Sequence, residues 1–213
     1  MTRLFLIRHG ESVAQVEGFV SGHDTCRGLS DLGRRQVEAL RDRLQRTGEI
    51  QADVVLTSIL PRAIETAAIL APAIGGGEAE QDCDLCEIHP GDGEGLTWDE
   101  WRKKYFRDDY DPSTPSAPNG ESWIGFNERV AAALRRYCDE HANKTIVAAV
   151  HGGIIEASTT TFLELSPAHG KLLPLANASI TEWVHHEPEF GRPGPRWQLA
   201  RYNDAAHLQA LNA

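Results

Sequence analysis

The sequence predicts an α/β fold, a three-layer α/β/α sandwich around a mostly parallel central sheet, with a small insertion over the sheet's C-terminal edge. Three observations predict it. Short apolar runs alternate with amphipathic segments of helical period along the chain. The first run, Leu4-Phe5-Leu6-Ile7, passes straight into an Arg8-His9-Gly10 turn, as a strand does at the ligand-binding edge of an α/β sheet. A Gly- and Pro-punctuated stretch over about 87–121 breaks the alternation once and reads as a cap segment.

The elements follow in order. A strand is expected over 3–8, then a helix from the cap Ser30 that carries Val37, Leu40 and Leu44 on one face. After a strand over 53–57, a second helix follows Pro61, with Ile64, Ala67, Ala68 and Ala71 facing inward. A third strand is expected over 80–86. Within the cap, Thr97-x-x-Glu100 is a capping box opening a short helix through Phe106, and the Pro-rich run 111–118 reads as a stiff, extended loop. The third long helix starts at Ser122 and aligns Trp123, Phe126, Val130, Leu134 and Tyr137. A strand over 145–150 leads into a helix after His151-Gly152-Gly153. Strands over 178–185 and 196–202 close the chain, joined by a hairpin loop over 186–195.

At 213 residues the chain is read as a single domain, 1–213, large enough for a core without disulfides or metals. No run approaches the roughly 20 apolar residues that span a bilayer, and no signal segment precedes Arg3. A cytoplasmic protein with no membrane partner is expected. A net charge of −10 opposes a phosphate-backbone surface, so no nucleic acid partner is expected. A small phosphate ester can still bind where a few cations concentrate. Cys26, Cys83, Cys86 and Cys138 are expected to be reduced. Cys83-x-x-Cys86 lacks a second ligand pair, His89 being the one obvious helper, and reads as small apolar residues on a strand rather than a metal or redox motif.

Phosphoryl transfer needs a nucleophile, cations around the phosphoryl oxygens and a proton for the leaving oxygen. The chain offers each. Neutral His9 keeps a ring lone pair at physiological pH. Arg8 and Arg62 can hold phosphate oxygens as permanently charged forks. His151, before two glycines and a helix start, can donate to the same phosphate, with Gly152 beside it. Glu87 can protonate a departing alkoxide and then take a proton from water.

These motifs, His9 after its strand, Ser58 through Ala67, Glu87 and Val150-His151-Gly152, together resemble the histidine phosphatase superfamily, which includes phosphoglycerate mutases and many phosphomonoesterases. Gly22, Asp24, Leu29-Ser30, Gly33, the Gly120-Glu121-Ser122 turn and Asn203-Asp204 with His207-Leu208 also resemble its pattern. The resemblance implies that His9 accepts the phosphoryl group, that Arg8, Arg62 and His151 line its pocket and that Glu87 is acid and base. Many members have an asparagine where this chain has Gln15, which is expected near the phosphate as a neutral donor.

The resemblance implies a metal-independent, histidine acid-type phosphomonoesterase acting on a small phosphorylated metabolite through phosphohistidine, with no cofactor. Cys86-Glu-Ile-His-Pro-Gly91 stands where the mutase branch carries Glu-Arg-His-Tyr-Gly, which favours phosphatase over cofactor-dependent phosphoglycerate mutase. A non-catalytic phosphoester-binding protein would need a broken catalytic set, and this one is complete. A homodimer is compatible with the sequence. Trp98, Trp101 and Tyr105 fall on one helix face beside Arg102, Lys103, Lys104 and Arg107. This is either an aromatic face packed on the body with a solvated basic side, or a lid reading a carboxylate or sugar.

Overall fold

Strand β1 (Thr2–Arg8) points Leu4 and Leu6 to one face of the sheet and Phe5 and Ile7 to the other, and all four are buried. A strand apolar on both faces needs a helical layer above and below. The computed structural model, which describes residues 1–168, 173–186 and 196–211, supplies both. On the Phe5 side lie α2 (Asp31–Thr47) and α3 (Pro61–Ile74), through Val37, Leu40, Leu44, Leu70 and Ile74. On the Leu4 side lie α5 (Trp123–Glu140) and α6 (Gly152–Phe162), through Phe126, Val130, Leu134, Ile154 and Ile155. Each such side chain contributes about 1.5–3 kcal/mol on burial. The short α1 (Val13–Glu17) and α4 (Trp98–Tyr105) stand outside these layers.

The remaining strands are β2 (Val54–Thr57), β3 (Glu80–Gln81), β4 (Thr145–Val150), β5 (Ile180–His186) and β6 (Arg196–Asp204), in the spatial order β3-β2-β4-β1-β5-β6. β3, β2, β4 and β1 are mutually parallel, β5 pairs antiparallel with β1, and β6 pairs antiparallel with β5. Trp183 on β5 is fully buried, and its indole N–H donates to Ser158 Oγ on α6 at 2.9 Å. Arg43 on α2 pairs with Glu49 and Asp204, tying the end of β6 to the helical layer.

Several expectations need correction. The strand expected over 80–86 stops at Gln81. Asp82 caps a 3-10 turn over Cys83–Leu85, so Cys83 and Cys86 lie off the sheet. The inward stripe of α3 is Arg62, Ala63, Thr66, Ala67, Leu70, Ala73 and Ile74, whereas Ala68 is exposed and Ile64 and Ala71 are half-buried. Two polar residues occupy that stripe because they serve the site described below. Helix α1 was not expected, although Ser12-x-x-Gln15 is a capping box. The 111–118 run begins with an Asx turn, in which Asp111 accepts from Ser113 N at 2.9 Å, instead of running extended. Apart from His186, the hairpin loop expected over 186–195 lies outside the described residues. No helix among those residues is long and apolar enough to cross a membrane.

The N-terminus of α2 crosses the turn after β1 at backbone contact. A Cβ on Gly10 would fall 2.4 Å from the Gly33 carbonyl oxygen, and one on Gly33 would fall 2.0 Å from that of Glu11. Gly33→Ala is expected to cost about 1–3 kcal/mol of unfolding free energy in urea titration. A change below about 0.5 kcal/mol would show that this crossing is loose.

Candidate active site

The two histidines come together because β1 and β4 are parallel neighbours in the register Arg8↔Val150. His9 N–H donates to the Val150 carbonyl at 2.9 Å, and the next residue of each strand enters the crevice at the sheet's C-terminal edge. The rings of His9 and His151 sit 5.1 Å apart between centroids, inclined by 61°. Both residues are buried.

Their tautomers follow from their partners. His9 Nδ1 lies 2.6 Å from the Gly10 carbonyl oxygen, which can only accept. The proton is therefore on Nδ1, and Nε2 keeps its lone pair. His151 is the reverse case: Arg62 Nε donates to its Nδ1 at 3.3 Å, which places the proton on Nε2. That Nε2 is buried without a hydrogen-bond partner among the described residues, and so is Arg8 Nε. Arg62 lies buried in the first turn of α3 and also donates from Nη1 to Ser21 Oγ and Cys26 Sγ. Arg8 Nη1 donates to the Leu175 carbonyl. Two buried donors without partners, beside two guanidiniums at the cavity floor, are the kind of groups that can receive a tetrahedral anion.

Burial, then the Arg62 charge, holds His9 well below the usual histidine pKa, against its bond to Gly10. Burial, Arg62 and His9 do the same for His151. Both rings are neutral at pH 7, as a nucleophile and a neutral donor require.

Glu87 faces the first turn of α6, where its Oε2 accepts from Gly153 N at 3.0 Å. A Cβ on Gly153 would fall 2.1 Å from Glu87 Oε1, so glycine is needed there for this approach. The segment bearing Glu87 is held from behind by Arg129 on α5. Arg129 Nη1 donates to the carbonyls of Cys83, Asp84 and Cys86, while Nε and Nη2 grip Glu121, each at 2.7 Å.

Six of the sequence-derived candidates, His9, Arg8, Arg62, Glu87, Gly152 and Gln15, line one cavity of about 310 Å³, while His151 lies fully buried behind it, bonded to Arg62 and edge-on to the His9 ring. Gln15 stands at the cavity rim, where its Oε1 closes the α1 capping box with Ser12 N at 3.0 Å and its amide also meets Asn177. Asn177 escaped the sequence reading. Its Nδ2 donates to the His9 carbonyl at 3.1 Å, beside the Ala178 N–H on the same oxygen. The available signal was a polar Asn-Ala-Ser step just before the apolar run of β5. Thr66 was also missed; it accepts from Gly10 N at 3.3 Å and donates to the Arg62 carbonyl at 2.8 Å, linking two motifs. The outer wall is apolar: Phe19, Val20, Ile88, Pro90 and Trp98. Trp98, Trp101 and Tyr105 do form an aromatic ladder on α4, with ring spacings of 6.3 and 6.4 Å. The basic residues beside them do not line this cavity, and Arg102 pairs with Asp99.

The chain is similar to known proteins over nearly its whole length. Residues 4–204 match the histidine phosphatase superfamily (branch 1). The chain is 31% identical to phosphoglycerate mutase-like protein 4 of Arabidopsis thaliana, covering 97% of this chain and 86% of that one. It is 29% identical to the metal-independent phosphoserine phosphatase of the same plant, over 99% and 85% of the two chains. The solved structure of Bacillus stearothermophilus YhfR superposes with a TM-score of 0.80 at 28% identity, over 98% of this chain and all of that one.

In the ligand-free protein, ¹⁵N-resolved NMR titration is expected to show both rings neutral at pH 6.5, His9 carrying its proton on Nδ1 and His151 on Nε2. A half-protonated His9 ring at that pH would overturn the electrostatic reading. Because both folded pKa values lie below the unfolded one, unfolding free energy should fall as the pH drops below about 6.5, where the unfolded chain binds more protons.

Proposed function

Because the chain belongs to the histidine phosphatase superfamily, we propose that it hydrolyses a small phosphomonoester through a phosphohistidine on His9, with no metal in the chemical steps. The observation that carries the reading is the pairing of an accessible Nε2 lone pair on His9 with the two buried, unpartnered donors Arg8 Nε and His151 Nε2. In the first step His9 Nε2 attacks phosphorus and the ester P–O bond breaks. Arg8, Arg62 and His151 hold the equatorial oxygens, and Glu87 gives its proton to the leaving oxygen. In the second, Glu87 takes a proton from water, the water oxygen attacks phosphorus, and the P–N bond breaks to release inorganic phosphate.

Water as acceptor is supported by the rim. Trp98 is 52% exposed there and Gln15 is exposed, whereas transfer to a second substrate hydroxyl calls for a closed pocket. Among the described lining residues the guanidiniums of Arg8 and Arg62 are the only permanent cations, and both are committed to phosphate. With an apolar outer wall, this favours an ester whose remaining part is neutral and presents carbon surface, such as a sugar or aryl alcohol. A carboxylate-bearing ester would find no further cation there, so the carboxylate-reading role considered for the α4 cations is not retained.

The test is phosphate release in excess chelator from p-nitrophenyl phosphate, a hexose phosphate, 3-phosphoglycerate and phosphoserine. We expect the neutral esters to have the higher kcat/KM and His9→Ala to abolish release from all of them. Wild-type turnover in His9→Ala would exclude the phosphohistidine route, and phosphoserine leading the ranking would exclude the neutral-ester preference. Glu87→Gln is expected to slow alkyl esters far more than aryl esters, whose leaving groups need no proton. Equal losses would remove Glu87 from the acid role.

A further inference from the structure

Cys83 and Cys86 stay in thiol contact in the folded chain, yet their other partners differ. Cys86 is buried, and Ser58 Oγ donates to its sulfur at 3.2 Å. Cys83, at the more exposed side, has its Sγ 3.4 Å from His23 Nε2 and 3.8 Å from His89 Nε2. The two rings are 5.0 Å apart between centroids, and the three ligand atoms all lie within 4.8 Å of one another. A tetrahedral zinc with ordinary Zn–S and Zn–N bonds spaces sulfur and nitrogen about 3.5 Å apart. Both S···N distances already bracket that value.

We propose that His23, Cys83 and His89 bind a thiophilic divalent cation, zinc(II) fitting best. One thiolate and two imidazoles select zinc over magnesium or calcium, which take oxygen ligands. Cys83 binds through a new S–Zn bond as its S–H proton passes to solvent, and the two imidazoles bind through ring lone pairs. The fourth tetrahedral position takes water.

The surroundings hold these ligands in place. Glu94 Oε1 accepts from Gly22 N, Asp24 N, Thr25 N and Thr25 Oγ1 at 2.8–3.0 Å, clamping the loop on both sides of His23. Glu121 Oε2 accepts from His89 N at 3.0 Å and lies 3.7 Å from its Nδ1, so it fixes the backbone of His89 and places a negative charge beside the ring, just outside hydrogen-bond distance. Glu121 is fixed in turn by Arg129, which also holds the Cys83 carbonyl. The exposed His23 ring has the freedom to close the widest separation. A bound ion would tie the loop that carries Ser21 and Cys26, both on Arg62, to the segment that carries Glu87.

The test is zinc titration of the metal-stripped full chain against a chromophoric chelator, with cobalt(II) as a spectroscopic stand-in. We expect one zinc per chain, a thiolate-to-cobalt charge-transfer band, and slower amide exchange over 21–26 with metal bound. His23→Ala, which alters an exposed ring, and Cys83→Ser should each weaken binding by at least roughly tenfold. His186→Ala, at a half-buried histidine on β5 that bonds Gln198 and is not among these ligands, should leave it unchanged. Absence of bound zinc, wild-type affinity in His23→Ala, a cobalt spectrum without the thiolate band, or equal loss in His186→Ala would each overturn the proposal. Phosphate release is measured in chelator, so its outcome is separate.

Discussion

The parallel pairing of β1 with β4 is the constraint on which the rest depends. Its register ends both strands at one level, Arg8 opposite Val150, so the next residues of two segments far apart in sequence become neighbours. A slip of one residue would turn Phe5 and Ile7 into the layer built for Leu4 and Leu6. The hydrophobic effect, acting over the whole strand, therefore enforces the placement of the two rings. The chain's other end contributes too: Asn203 Oδ1 accepts from Ala176 N at 2.7 Å and braces the loop whose Asn177 and Ala178 hold the His9 carbonyl.

The cavity concentrates positive charge in a chain whose net charge is −10. Arg8 and Arg62 are drawn to the floor of the crevice, where Arg62 bonds to neutral or sulfur partners. Burying guanidiniums in this way opposes folding. The same desolvation is what keeps the two imidazoles neutral and makes their donors strong toward an anion. Stability lost at the floor is offset by the apolar layers above and below the sheet. Function here is a local departure from the rules that make the rest of the chain fold.

Most of this was legible where local pattern and tertiary demand agree. Ser30 caps α2, Val37, Leu40 and Leu44 form its buried stripe, and the Phe126-Val130-Leu134 stripe faces the sheet as its spacing requires. The reading slipped where they diverge. On α3 an alanine-rich surface gives little contrast, and the buried stripe includes Arg62 and Thr66, which periodicity assigns to solvent. Near Cys83 the apolar content suggested strand, but Asp82 offers the backbone a local partner and ends the pairing. His9, Arg8, Arg62, His151 and Glu87 could be picked out as residues, while the orientation of each ring could not. For His9 it depends on the backbone turn that points the neighbouring Gly10 carbonyl at the ring, and for His151 on Arg62, which approaches only in the folded chain. Asn177 acts through its neighbours' backbone and leaves no mark on a pattern of hydrophobicity.

Arg129 has a wider consequence. Its guanidinium fastens the carbonyls around Cys83–Cys86 and the carboxylate of Glu121 to α5, so Glu87 belongs mechanically to the body of the molecule and not to the α4 cap above it. In the proposed reaction, then, the proposed acid and the cap helix are supported by different contacts. Changes within α4 would leave the contacts that hold the Glu87 segment in place. A designer could therefore vary the interior of the cap, residues 99–116, while keeping Glu94, whose carboxylate clamps the loop at Gly22, Asp24 and Thr25, and the Gly95–Trp98 backbone that is bonded to Gly18 and Val20.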